Sequence, residues 1–242
     1  MLLAGVAGGM FATRLSHWKG SAILASLANT FAGGVFLGAA FLHMLPDSIE
    51  NFKAFVSEDG YPIFALVGSL GFLAVLLVDK VVMPSGGRGL TRKGSIYPYL
   101  LMVTLSVHSV ITGIALGLEQ ARAGMVAILI AVLAHKSTAA MALGISFNAE
   151  HVDQSRRRAL LAVFYTMTPI GILAGTWFAS FLAGEVLVRF EAVFDALAAG
   201  TFFYIAVMDI LSEEFQDSSG RWPRFAMAIA GFAVMALVAV WA

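Results

Sequence analysis

The chain has 242 residues, of which 60% are hydrophobic and only 12% are charged, against about 25% charged residues in an average soluble domain. This composition indicates an integral membrane protein with room for about eight helical spans of roughly 20 residues each and for no soluble domain beside them. The net charge of zero, the lack of a basic tract and the lack of cysteine argue against nucleic acid as a partner and exclude thiolate metal ligands.

Apolar segments follow one another along the whole chain. The first, at residues 2–15, is short for a span, as in a chain that begins inside its first helix. The next two cover residues 22–45 and 61–78, with a polar loop at 51–60 between them. Two histidine-bearing helices follow a glycine-rich loop at 84–98, and the remaining spans are predicted at residues 159–183, 193–211 and 225–241. We therefore predict an all-α integral membrane protein that forms a single polytopic domain over residues 1–242.

The fourth and fifth helices carry His108 and His135 near the middle of their length. Ionisable groups at mid-membrane cost free energy unless they meet a partner or water, so they are functional candidates by default. Two facing imidazoles at this depth indicate a cation site, to which Ser109 and Thr112 could add oxygen. Paired histidines that only hydrogen-bond between helices are the structural alternative.

The basic residues predict the orientation of the chain. If the loops alternate sides, one set holds eleven basic residues and the opposite set holds three. The larger set is Arg14, Lys19, Lys80, Arg88, Arg92, Lys93, Arg156, Arg157, Arg158, Arg221 and Arg224, and the smaller is Lys53, Arg122 and Arg189. This bias predicts that the loops at 84–98 and 151–158 face the cytoplasm and that both termini lie outside. We expect the protein in the plasma or inner membrane.

The second and seventh spans also resemble each other. The segment GGVFLGAAFLHMLPDS (33–48) aligns with AGTFFYIAVMDILSEE (199–214), and the match pairs Phe36 with Phe202 and His43 with Asp209. On the predicted topology these two helices run in opposite directions, as in transporters that are built from inverted repeats and bind substrate near the midplane. Chance similarity of glycine-rich helices is the alternative.

Several of these segments resemble the ZIP (Zrt/Irt-like) family of divalent metal transporters. They are HSVITGIALG (108–117), the pair His135 and Lys136, FAGGVFLGAAFLHMLPD (31–47), TPIG (168–171) and GTFFYIAVMDILSEEF (200–215). Their order and spacing cover nearly the whole chain. The resemblance implies two inverted three-helix groups around helices four and five, and transport of Zn²⁺ or related ions into the cytoplasm.

The candidate metal ligands follow from both arguments. Neutral imidazole suits Zn²⁺, Fe²⁺ or Cu²⁺, and Zn²⁺ is the favoured ion. Carboxylates and a histidine at the outer end of span two and the inner end of span seven supply an entrance and an exit. The predicted metal-binding residues are His108, His135, Ser109, Thr112, His43, Asp47 and Asp209. No cofactor is implied beyond the transported ion.

The sequence departs from the family pattern at the predicted site. Thr112 stands where the fourth-helix signature usually has a carboxylate, one turn after His108 and on the same face. Lys136, Ala139 and Thr168 stand where members with two metals carry acidic ligands. We therefore expect the second metal position to be absent, with the lysine ammonium as a tethered substitute for it.

Other functional classes fit less well. A hydrolase would need a nucleophile and a base, but Ser109 and His108 are adjacent on a helix and point about 100° apart. The metalloprotease motif HExxH is missing. The alternative to a transporter is a non-transporting protein of the same fold, such as a metal sensor or a partner-binding subunit. The 24 glycines permit close helix packing, which fits a homodimer and a moving transporter equally.

Overall fold

The computed structural model describes residues 2–15, 21–56, 60–82, 97–118, 122–178, 184–216 and 219–240. Within these residues the chain forms eight helices and no strand, which confirms the predicted all-α fold. They are α1 (Leu2–Leu15), α2 (Ala22–Lys53), α3 (Ile63–Val82), α4 (Tyr97–Leu118), α5 (Arg122–Ala149), α6 (Gln154–Phe178), α7 (Gly184–Glu214) and α8 (Arg221–Val238). The predicted loop at 84–98 lies outside the described residues up to residue 96, as do Lys19, Glu58, Asp59, Arg88, Arg92 and Lys93.

The helices have the length and composition of membrane spans. In the described part of the chain, α2, α3, α6, α7 and α8 are long and apolar enough to cross a bilayer. Helices α4 and α5, with 22 and 28 residues, also exceed the roughly 20 residues that a span needs.

Helices α2 and α7 continue beyond the predicted spans, and each contains a π-helical segment, Ala40–Met44 and Ile205–Leu211. In α2 the N–H of Leu45 bonds the carbonyl of Ala40, five residues back. Pro46 then lies in the first turn of the following α-helical piece. The helix that contains the second predicted span therefore runs on to Lys53, beyond residue 45.

The helix contacts support the internal repeat. The closest helix pairs are α1 with α5, α4 with α6, α2 with α8, and α3 with α7. If α1, α2 and α3 are exchanged with α6, α7 and α8, and α4 is exchanged with α5, the same four helix pairs result. The contacts therefore have the symmetry of a two-fold repeat. The two π-helical segments are in register in the sequence alignment of α2 with α7. The aligned rings of Phe36 and Phe202, both fully buried, lie 5.2 Å apart.

Close backbone contacts join α4 to α6. A Cβ atom added at Gly113 would lie 2.5 Å from the carbonyl oxygen of Thr168, and one at Gly171 would lie 2.3 Å from the carbonyl oxygen of Val110. Only glycine permits such an approach of two helix backbones. The contact holds the middle of α6 against the histidine-bearing turn of α4.

Candidate metal site

The two central histidines meet in the interior of the helix bundle. His108 on α4 and His135 on α5 are 4% and 3% exposed, and their Nε2 atoms are 3.4 Å apart. Hydrogen bonds from N–H donors are usually 2.7 to 3.2 Å long, so this separation is wide for a direct bond. The two nitrogens instead converge on one region of space from adjacent helices.

Thr112 adds an oxygen to this pair. Its hydroxyl donates to the backbone carbonyl of His108 at 2.9 Å, and its Oγ1 lies 3.2 Å from His108 Nε2. Because the hydroxyl proton is engaged by the carbonyl, the oxygen lone pairs are available toward the imidazoles. The predicted placement of Thr112 on the same face as His108 agrees with this geometry.

Lys136 lies beside the histidines, with 2% of its surface exposed. Its ammonium donates to Thr168 Oγ1 at 2.7 Å and to Ser109 Oγ at 3.4 Å. It also lies 4.6 Å from the centre of the Phe164 ring, within cation–π range. Two neighbouring helices, α4 and α6, therefore supply partners for this buried charge.

These residues line one small cavity of about 10 Å³. This is close to the smallest space that holds one water molecule, so the site has room for a single small ion at most. The polar lining residues are His108, Ser109, Thr112, His135, Lys136 and Thr168, and the apolar ones are Leu105, Val132, Ala139, Phe164 and Phe202. Within the described residues, no three His, Asp or Glu side chains gather into a metal-binding group.

The predicted entrance residues lie next to this cavity. His43, in the π-helical segment of α2, has its ring 6.2 Å from that of His135. Its Nδ1 lies 3.1 Å from Asp47 Oδ2, and the Asp47 side chain is 47% exposed. A histidine and a carboxylate thus extend from the buried pair toward the protein surface.

The carboxylates of α7 differ from one another. Asp209 is buried within the π-helical segment Ile205–Leu211. Glu214 is also buried, but its carboxylate accepts hydrogen bonds from Ser26 Oγ and, at 3.0 Å, from Asn29 Nδ2, and it lies 3.7 Å from Arg224 Nε. We call Ser26, Asn29, Glu214 and Arg224 the ionic cluster. The exit role predicted for the α7 carboxylates therefore stays a prediction for Asp209, while Glu214 is engaged in packing α2 and α8.

Comparison with known proteins places the chain in a family. The family model for the ZIP zinc transporter matches residues 1–94 and 83–239. The chain belongs to the ZIP family. Zinc transporter ZIP2 of Mus musculus is 27% identical to it, covering 90% of this chain and 85% of the relative. Zinc transporter ZIP1 of Danio rerio is 29% identical, covering 87% and 83%, and zinc transporter ZIP2 of Homo sapiens is 28% identical, covering 89% and 85%.

Membership of the ZIP family confirms the resemblance that the motifs predicted, and with the apolar helices it makes this an integral multi-pass membrane protein. The four positions at which the motif resemblance implies a departure from the family pattern, Thr112, Lys136, Ala139 and Thr168, all line the histidine cavity. The expected departures therefore fall in one site rather than at scattered positions.

Sequence reasoning missed the aromatic walls of the cavity. The Phe202 ring lies 5.0 Å from that of His108, and Phe164 lies under Lys136. Phe202 was visible in the sequence only as the repeat partner of Phe36. Phe164 has no local signal, because an aromatic residue in an apolar helix is ordinary core composition.

Proposed function

We propose that this ZIP-family protein carries Zn²⁺ across the membrane into the cytoplasm through a mid-membrane site between α4 and α5. The separation of His108 Nε2 and His135 Nε2, 3.4 Å, is the observation that carries the proposal. A tetrahedral zinc ion with Zn–N distances of about 2.0 to 2.1 Å holds two nitrogen ligands about 3.3 Å apart. The two imidazoles are therefore spaced to bind one ion with little rearrangement.

The donor set supports transient binding rather than storage. Two neutral nitrogens and the Thr112 oxygen bring no negative charge to the ion, and a pathway site must release what it binds. Ser109 is a less direct ligand because its hydroxyl accepts from Lys136 at 3.4 Å. The same donors accept Fe²⁺ and related ions, and the imidazole pair together with the similarity of the chain to zinc transporters favours Zn²⁺.

Lys136 limits the site to one ion. Its ammonium, held by Thr168 and by the Phe164 ring, occupies the position at which a second cation would need acidic ligands. Two positive charges a few ångströms apart in a buried site repel strongly. We assign Lys136 the role of a fixed positive charge in place of a second metal.

The route to and from the site uses the flanking polar residues. His43 and Asp47 are proposed as entrance ligands because they lead from His135 to the exposed end of α2. Asp209 is proposed as a ligand on the exit side, since α7 runs opposite to α2 in the inverted repeat. The proposed direction of transport, into the cytoplasm, rests on the resemblance to the ZIP family, and the proposed orientation of the chain rests on the eleven-to-three distribution of basic residues.

Orientation is tested by cysteine labelling, for which the cysteine-free chain is a ready background. Ser155 lies in the first turn of α6, and Gly60 precedes α3; both are exposed. In intact cells an impermeant thiol reagent should label Gly60→Cys and leave Ser155→Cys unlabelled. The reverse pattern would invert the proposed topology, including the outside position of both termini.

Transport itself is tested in reconstituted vesicles with a zinc-sensitive dye inside. Saturable Zn²⁺ entry, absent from protein-free vesicles, is the expected result. Zinc binding by calorimetry without any flux would instead indicate the second candidate, a non-transporting ZIP-fold protein such as a metal sensor. The charge of Lys136 and the lack of a carboxylate at Thr112 favour that candidate enough to make the measurement necessary. Light scattering of the same preparation would establish whether it is a homodimer.

A further inference from the structure

A large apolar groove lies between α2, α3 and α7, outside the histidine site. Its volume is about 470 Å³, within the usual range of ligand pockets. Phe41 and Phe203 meet edge to face at 5.3 Å and form one wall, and Phe72 packs beside them at 5.9 Å from Phe203. Small residues, among them Ala65 and Gly68, open the space between these rings.

The lining excludes water-borne ligands and metal ions. Ser69 supplies the single hydroxyl among the lining side chains, and no charged group is present among them. Binding sites for polar small molecules combine an apolar wall with several convergent polar groups, which this groove does not have. A hydrocarbon ligand is the chemistry that such a lining matches.

The position of the groove along α3 matches one leaflet of a bilayer. Its lining extends from Phe64, in the first turn of α3, to Leu73. Nine residues of helix rise about 14 Å, which is close to half of the roughly 30 Å hydrocarbon thickness of a membrane. Tyr61, just before the helix, is 67% exposed at the level where headgroups begin. The groove therefore extends from the interface to mid-depth.

The volume distinguishes a lipid chain from a helix of another protein copy. A helix about 10 Å across and 14 Å long fills roughly 1,100 Å³, more than twice the groove. A methylene chain in van der Waals contact on all sides needs a cylinder roughly 5 Å across, or about 300 Å³ over the same length. The groove therefore accommodates one extended chain along its length, whereas only part of a helix would fit into it.

We propose that this groove binds one acyl chain of a bilayer phospholipid, in the leaflet where α3 begins. The chain fills the space between α2, α3 and α7 and packs on Phe41 and Phe203. It also lies behind the wall of the histidine cavity, since Phe202, the neighbour of Phe203, contacts His108.

The test uses two tryptophan substitutions on the same helix. Ala65→Trp fills the groove, and Ala74→Trp places the same side chain on an exposed part of α3 outside it. Each full-length protein is taken from nanodiscs of palmitoyl-oleoyl phosphatidylcholine into mild detergent and examined by native mass spectrometry. The wild type and Ala74→Trp should each retain one phosphatidylcholine per chain, and Ala65→Trp should lose it.

A second measurement covers the case in which Ala65→Trp does not fold. Ser69→Leu occupies the same groove with a smaller side chain. Adding phosphatidylcholine to delipidated protein should raise the melting temperature of the wild type and of Ala74→Trp but not of the groove-filled variants. Equal lipid retention in all variants would overturn the proposal. Conversion of a dimer to a monomer by Ala65→Trp, with lipid retention unchanged, would overturn it in favour of an interface between two copies.

Discussion

Two buried polar regions of this protein, the ionic cluster and the histidine site, differ in how completely their polar atoms are hydrogen-bonded. In the ionic cluster, Glu214 accepts from Ser26 and Asn29, and Arg224 Nε donates to Ser26 Oγ at 2.8 Å. In the histidine site, the Nδ1 atom of buried His108 has no hydrogen-bond partner within the described residues, and no carboxylate faces the imidazoles. The first arrangement satisfies its members and fastens three helices. The second has a sparser hydrogen-bond network, and its proposed ligand atoms, the two Nε2 nitrogens, lie 3.4 Å apart, as suits a site that must bind and release an ion.

The largest expected effect is that of substituting the histidines. His108→Ala and His135→Ala should each lower saturable Zn²⁺ uptake at least about tenfold. Loss of a residue that only orients a metal ligand already lowers metal affinity by about that factor, and loss of the ligand itself should lower it at least as much. The double variant should fall to the level of empty vesicles. Melting temperature should change little, since the pair makes no saturated network.

The control for these variants is a histidine outside the site. His151 is exposed and has a φ of 55°, so His151→Asn, which tolerates the left-handed conformation, is preferable there to alanine. Its uptake should equal that of the wild type. Unchanged uptake in the double alanine variant would end the assignment of His108 and His135 as ligands.

The ionic cluster should respond in stability instead of transport affinity. Arg224→Ala leaves the Glu214 carboxylate, 1% exposed, without its counter-ion, and should lower the free energy of unfolding by about 3 kcal/mol. Arg189, in an exposed pair with Glu185 at 2.5 Å, is the matched control, and Arg189→Ala should cost less than about 1 kcal/mol. Thermal melting in detergent compares the two. Equal melting temperatures would show that the ionic cluster does not stabilise the fold.

A smaller effect is expected when a negative charge is added to the histidine site. Thr112→Glu places a carboxylate one turn from His108 and should tighten Zn²⁺ binding about tenfold. This factor corresponds to the free energy of one contact with a charged group after the cost of desolvating the carboxylate is subtracted. Maximal flux should fall as each ion leaves more slowly. Titration calorimetry on Thr112→Glu with and without His108→Ala is decisive. If Thr112→Glu raises Zn²⁺ affinity equally in the presence and in the absence of His108, then residue 112 does not bind the same ion as His108.

The smallest effect is that of protons. Ligating imidazoles must be neutral, so protonation competes with the metal and binding weakens as pH falls. Occupancy at limiting Zn²⁺ should therefore fall as the pH is lowered. Uptake measured from pH 7.5 downward checks this. A rise of uptake over the same range would contradict imidazole ligation.

The sequence alone determined that the chain folds in a membrane and which helices contain the candidate metal-binding residues. A chain with 12% charged residues can satisfy its backbone in a membrane only as helices, and His108 and His135 stand out because ionisable residues are rare in such segments. The repeat that pairs Phe36 with Phe202 was also detectable in the sequence, because the aligned segments 33–48 and 199–214 keep their apolar and polar positions in register.

Only the tertiary structure decided how the helices meet. The π-helical segments at Ala40–Met44 and Ile205–Leu211 have no reliable local signal, because they arise where packing shifts a helix by one residue. The partners of Lys136 lie on α4 and α6, 27 and 32 residues away, and nothing local to HK specifies them. The two histidine nitrogens come within 3.4 Å because glycine contacts fix α4 against α6 and the repeat sets α5 beside α4. Such distances depend on side chains remote in sequence, and no periodicity within one helix encodes them.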